Sequence, residues 1–153
     1  MDFYADPPGT RLEDGAVFTT ALGGSSANIA VAVCRQGGSA ALVTSVSDDP
    51  VGQYCLNQLA KFGVETEYVT KVAGEPRNSL AVVDTNGVDT QSVIYRNNAA
   101  DFQMSLDDIA RVDVTGFGAM VTTGTVLAAE PSRSATFAAF NKARAAGIPI
   151  VFD

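Results

Sequence analysis

At 153 residues, 46% hydrophobic and 18% charged, the chain has the size and balance of one globular unit, able to bury roughly 68–70% of its unfolded surface, and it is not a disordered tail. A net charge of −7 and a pI near 4.4 argue against nucleic acid as a partner, because phosphate binding needs clustered Lys and Arg. Two cysteines and no histidine exclude a zinc site and any Ser-His or Cys-His nucleophile system; with no apolar run approaching about 20 residues and no basic leader, the reading is a cytoplasmic protein off the membrane.

The chain opens on Met1-Asp2-Phe3-Tyr4 with no complete strand before it, and Asp6-Pro7-Pro8-Gly9 reads as a turn. Residues 17–22 suit a half-exposed strand. Next comes Leu22-Gly23-Gly24-Ser25-Ser26-Ala27-Asn28, a small-residue turn into a helix. Its glycines let the backbone approach a ligand closely, Ser25 or Ser26 can cap the helix, and Asn28 supplies a donor and an acceptor from the first turn. That combination suits polyol recognition, and equally a simple strand-to-helix connector.

Residues 26–36 carry Ala27, Ala30, Val31 and Cys34 at helical spacing, residues 40–46 read as a buried parallel strand, and Asp49-Pro50 starts a second helix with the stripe Val51, Cys55, Leu59 and Phe62. After Gly63 the pattern changes to strands over 65–72, 79–85 and 91–96, predicting a small sheet that stands off the main one. Ser105 and Asp108 have capping-box spacing, with Leu106, Ile109 and Val112 as an inner face. A strand over 117–123, a helix over 130–146 with Phe137, Phe140 and Ala143 along one side, and a strand over 148–152 complete the chain.

The run from Gly23 to Val69 resembles the amino-terminal signature region of the PfkB/ribokinase family of carbohydrate kinases: Gly23, Gly24, Ala27 and Asn28 match its sugar-holding turn, and Asp49 with Gly52 its Asp-x-x-Gly helix start. The resemblance implies an α/β, Rossmann-like ribokinase fold with a small β lid, its strands within 10–22 and 65–97, and ATP and Mg²⁺ as cofactors of the full-length family. It implies Gly23, Gly24 and Asn28 as hydroxyl-holding residues, Asp2 as the sugar anchor, and a homodimer through the lid. Without the resemblance, Asp2 reads as an exposed terminal carboxylate.

Arg77-Asn78-Ser79 and Tyr95-Arg96-Asn97-Asn98-Ala99-Ala100-Asp101 sit at one end of the predicted lid. Arginine recognises carboxylates in a planar, bidentate way, so Arg77 and Arg96 suit a sugar acid, while a solvated surface role is as good a reading for Arg77. The second run resembles the branch of the family acting on 5-dehydro-2-deoxygluconate in inositol breakdown. It is similar over fewer positions to the kinases of 2-keto-3-deoxygluconate, where a Tyr-x-Arg or Tyr-Arg element holds the acid. Gly124 and Thr125 end a strand where open α/β sheets bind ligands, so a pocket-lining role stands beside a plain cap and turn. Glu130 and Arg133 read as a structural pair. Asn78 stands where the resemblance leads one to expect a hydroxyl-bearing residue.

The family's Gly-Ala-Gly-Asp anion hole and Asn-x-x-Glu motif do not occur in the 153 residues, and no Walker loop replaces them. Phosphoryl transfer depends on positioning and charge stabilisation, so the expectation is a sugar-binding amino-terminal portion of a kinase, inactive and aggregation-prone alone, with no catalytic or metal residue of its own. The implied activity is transfer of the ATP γ-phosphate to the terminal hydroxyl of 5-dehydro-2-deoxygluconate. A 2-keto-3-deoxygluconate kinase or a fructokinase is the alternative within the family, and a non-catalytic sugar-binding module the alternative outside it.

Overall fold

The computed structural model describes residues 1–153. The elements in chain order are β1 (Asp2–Asp6), β2 (Val17–Ala21), α1 (Ser25–Arg35), β3 (Thr44–Ser47), α2 (Pro50–Lys61), β4 (Val69–Val72), β5 (Leu80–Val83), β6 (Ser92–Tyr95), α3 (Leu106–Arg111), β7 (Met120–Thr122), α4 (Ser132–Ala145) and β8 (Ile150–Phe152). Short 3-10 turns at Ala100–Gln103 and Gly124–Ala128 matter to the site.

Two parallel ladders, β3 with β4 and β7 with β8, form the body. Helices cover them from both sides, and two adjacent residues explain how. Leu42 packs into a cluster with Ala27 and Ala30 of α1, Leu59 of α2, and Val64. Val43 packs instead with Met104, Ile109 of α3 and Ala135 of α4. Neighbouring side chains on an extended segment point to opposite faces, so this one chain segment separates an α1/α2 layer from an α3/α4 layer. Leu59, 2% exposed, is the largest fully buried side chain, and its burial stabilises the fold by about 2 kcal/mol. This is the α/β sandwich that the alternating pattern predicts.

A second sheet stands apart, ordered β2-β1-β5-β6. Its β1 pairs antiparallel with β2 and parallel with β5, which pairs antiparallel with β6. Two expectations change here. Asp2 to Asp6 is a full strand near the middle of the small sheet, because its backbone pairs on one edge with β2, which follows it in the chain, and on the other with β5, far off in sequence. Residues 65–72 do not join that sheet: Val69–Val72 pairs in register with Thr44–Ser47 and extends the body.

Local chemistry accounts for the helix ends. Asp49 Oδ1 accepts from the backbone N–H groups of Val51 (2.9 Å) and Gly52 (3.0 Å), capping α2, with Pro50 in its first turn. Ser105 and Asp108 form the reciprocal capping box of α3. Of that helix's expected inner face, Ile109 and Val112 are buried, while Leu106 is exposed. α4 is shorter at both ends than residues 130–146, and Glu130 does not pair with Arg133; its Oε2 accepts from Ser134 N at 3.1 Å, an N-terminal anchor of α4. Phe137 lies exposed, stacked edge-on against Phe140 at 5.8 Å.

Candidate functional site

Asp2 begins β1, with Ala21 of β2 and Ala81 of β5 as its register partners. Its Oδ2 accepts from the Tyr4 hydroxyl at 3.2 Å, two residues on and therefore on the same face. Burial, then the Asp2 charge and hydrogen bond, raise the Tyr4 hydroxyl above the ordinary tyrosine range, so Tyr4 remains a donor. A Cβ on Gly23 would fall 2.0 Å from Asp2 Oδ1, so bare backbone at Gly23 lies directly against the carboxylate.

Gly24, at φ +98°, is the N-cap position of α1, where only glycine is free of strain. No side chain caps the helix, which leaves its first-turn N–H groups without a side-chain partner, with the exposed Asn28 side chain one turn on. Here the expected serine cap is not formed. Ser25 Oγ donates to Thr123 Oγ1, Ser26 Oγ also meets Thr123 Oγ1, and Thr123 meets Thr125 Oγ1, each at 3.3 Å. The serines are drawn away because the carboxyl end of β7 presents a hydroxyl to them. They thereby tie the glycine turn to Gly124 and Thr125.

Arg96, just past β6, closes the group. Its Nη1 donates to the Thr125 carbonyl at 3.1 Å, its Nε to Asp101 Oδ2 at 3.0 Å, and its Nη2 to the same Asp101 oxygen. The guanidinium carbon stands 4.0 Å from the centroid of the Phe102 ring. A chain of contacts thus joins Asp2, Gly23, Gly24, the two serines, Thr123, Thr125 and Arg96, linking a carboxylate, hydroxyls, an uncapped helix start and a cation. Such a set can hold several hydroxyls and one anionic end.

Arg77 and Tyr95 lie elsewhere. Leu80 and Tyr95 are register partners and share one face of the small sheet, while Asp2, Ala81 and Ile94 share the other. With Arg77, Asn78 and Asn97 they line a separate concavity of about 340 Å³. Arg77 donates to the carbonyls of Gly74 (2.6 Å) and Pro76 (3.0 Å), and its Nε is 3.7 Å from Asp49 Oδ2. The structure therefore does not bring these two residues to Asp2 and Arg96, because strand alternation turns Tyr95 and its neighbour Arg96 in opposite directions.

Sequence reasoning missed Asn78, Thr123 and Asp101 as connecting residues. Asn78 Oδ1 accepts from Ser47 N (2.7 Å) and Ser47 Oγ (3.1 Å), and its Nδ2 donates to Cys55 Sγ at 3.2 Å. A serine there could not make those three bonds, which accounts for the amide in place of the expected hydroxyl. Thr123 and Asp101 lay inside conspicuous polar runs; their partners, far apart in sequence, carried no local signal.

The family model described as "pfkB family carbohydrate kinase" matches residues 1–153. The chain belongs to the pfkB family of carbohydrate kinases. It is similar to the 5-dehydro-2-deoxygluconokinases of Clostridium perfringens (34% identical over 154 residues) and Photobacterium profundum (31% over 153 residues), matching 100% of this chain and 46% of each relative. Among solved structures, a sugar kinase from Pyrococcus horikoshii, also solved in complex with ATP, superposes with a TM-score of 0.87 at 28% identity, covering 99% of this chain and 49% of that one. The pfkB chain thus has a ribokinase-type fold and spans about half the length of the relatives it matches.

Proposed function

We propose that this chain forms the sugar-holding side of an ATP-dependent kinase that phosphorylates the terminal hydroxyl of a sugar acid in the cytoplasm, with 5-dehydro-2-deoxygluconate as the substrate and inositol breakdown as its setting. The observation that carries this reading is Arg96, whose guanidinium donates to the Thr125 carbonyl beside the hydroxyl cluster that anchors the glycine turn. A polyol held by Gly23, Gly24 and Asn28 and anchored by Asp2 would direct its acid end toward that cation. Gly124 and Thr125 would line the wall between them. The names of the curated relatives point to the same substrate.

ATP and Mg²⁺ are proposed for the whole kinase. No group of three or more His, Cys, Asp or Glu side chains converges in this chain, and no step is assigned to a metal here. A dimer through the small sheet belongs to the same proposal. Its edge strand β6 leaves Val93, Ile94 and Tyr95 exposed, the last two at 65% and 61%.

A neutral ketose is the second reading, favoured by Asp101, whose carboxylate offsets the Arg96 charge. Calorimetric titration of the chain with 5-dehydro-2-deoxygluconate and with fructose separates the two. Heat from the acid alone supports the first; heat from fructose alone, or equal affinity, supports the second.

A further inference from the structure

We infer that Asp101 is a positioning residue for substrate discrimination: it aims the Arg96 guanidinium at the acid end of the sugar and holds it there before the substrate arrives. The inference rests on the sugar-acid reading of the site. Arg96 is held on three sides. Its Nε and Nη2 both donate to Asp101 Oδ2, its Nη1 donates to the Thr125 carbonyl, and Phe102 covers one face of the plane at 4.0 Å. By count, a single N–H on each terminal nitrogen is left without a partner, and these are the donors available to a carboxylate.

Asp101 is itself immobilised. Its Oδ1 accepts from Ser79 Oγ, at the start of the strand adjoining β1, so the carboxylate is tied to the same sheet that carries Asp2. Arg96 and Asp101 are each only 27% exposed in their side chains, and Arg96 has no other carboxylate partner. An arginine keeps its charge in any such setting, so the pairing leaves the donors cationic while removing the rotamer freedom that binding would otherwise have to freeze out. Asp101 thus exchanges some long-range attraction for orientation.

Two opposed expectations make this testable with Asp101→Asn, which keeps the shape and removes the charge. If Asp101 aims Arg96, the variant binds 5-dehydro-2-deoxygluconate roughly tenfold more weakly and fructose unchanged. If Asp101 only screens the cation, the variant binds the acid more tightly. Equal weakening of both ligands would mean general structural support. Either of the last two results overturns the inference.

A second measurement needs no substrate. In the ¹⁵N–¹H spectrum of the chain, the Arg96 Nε–H, assigned with Arg96→Lys, is expected to be shifted and slow to exchange, and to move to the free-arginine position in Asp101→Asn while the backbone amide spectrum is retained. An unchanged Nε–H signal overturns the positioning role. A chain that binds no sugar acid, yet loses that signal in Asp101→Asn, would refute the sugar-acid reading and leave Asp101 as the residue that orients Arg96.

Discussion

The backbone of Gly23 lies flat against the Asp2 carboxylate, so closely that a methyl group at residue 23 would stand 2.0 Å from Oδ1 and 2.2 Å from Cγ. Those atoms cannot coexist, so either the Asp2 carboxylate must swing away from the turn or the turn must shift, and both break the present arrangement of carboxylate and glycine backbone. Gly23→Ala is expected to weaken sugar binding by tenfold or more, on the order of 1.4 kcal/mol, as read by calorimetry. Gly24→Ala differs in kind: nothing lies within 4 Å of its added Cβ, but φ is +98°, so it should cost about 1 kcal/mol of stability through backbone strain. Equal effects of the two substitutions on binding and on unfolding would contradict the close-approach role of Gly23.

Arg96→Gln removes the cation and keeps much of the side chain's length. A charge-assisted pair to the substrate acid is worth about 1.5–3 kcal/mol, so affinity for 5-dehydro-2-deoxygluconate should fall by at least tenfold and affinity for fructose should hardly change. Parallel titrations of both ligands check this. Similar losses for the two would remove Arg96 from acid recognition.

Asp49 carries a pH dependence. The Gly52 N–H foremost, then the Ser47 hydroxyl, the Val51 N–H and the nearby Arg77, hold its carboxyl below the ordinary aspartate value of 3.8, outweighing the opposing effect of burial. The stabilisation is fully present above that value, where folded and unfolded chains are both ionised. It is lost as pH falls through 3.8 toward the lowered folded value, because the unfolded chain takes up the proton first. Urea unfolding at pH 7 and pH 3 should show less of this acid sensitivity in Asp49→Asn. Asp49→Ala should lose about 1 kcal/mol at pH 7 by removing the cap.

Asn78→Ser restores the hydroxyl that the family resemblance leads one to expect, yet it should destabilise. The shorter side chain cannot accept from Ser47 N while donating to Cys55, and Ser47 is fully buried. Leaving that N–H unsatisfied costs about 1–3 kcal/mol, measurable as a lower unfolding midpoint. An unchanged midpoint would show that water replaces the amide without loss.

Signals that act over a few residues were legible in the chain itself. Asp49 before Pro50, the Ser105–Asp108 spacing and the helical apolar spacing that buries Ala27 and Ala30 all act within one or two turns, and each appears in the structure as its local chemistry requires. The glycine pair was legible for the same reason: a positive φ at Gly24 is a property of one residue. So was the family, carried by contiguous motifs.

The site's assembly was not. Which face of a strand a side chain occupies depends on register, and register is decided by partners tens of residues away. Tertiary pairing made Asp2 an inner-strand residue, moved Val69–Val72 into the body, set Tyr95 back to back with Asp2, and drew Ser25 and Ser26 from capping to Thr123, some 98 residues on for Ser25. The chain alone determined its fold class, the caps at Asp49 and Ser105, and the residue types able to hold a polyol and an acid, because those follow from covalent neighbours. Only the folded structure decided which of them come into contact, because sheet pairing turns separation in sequence into contact in space.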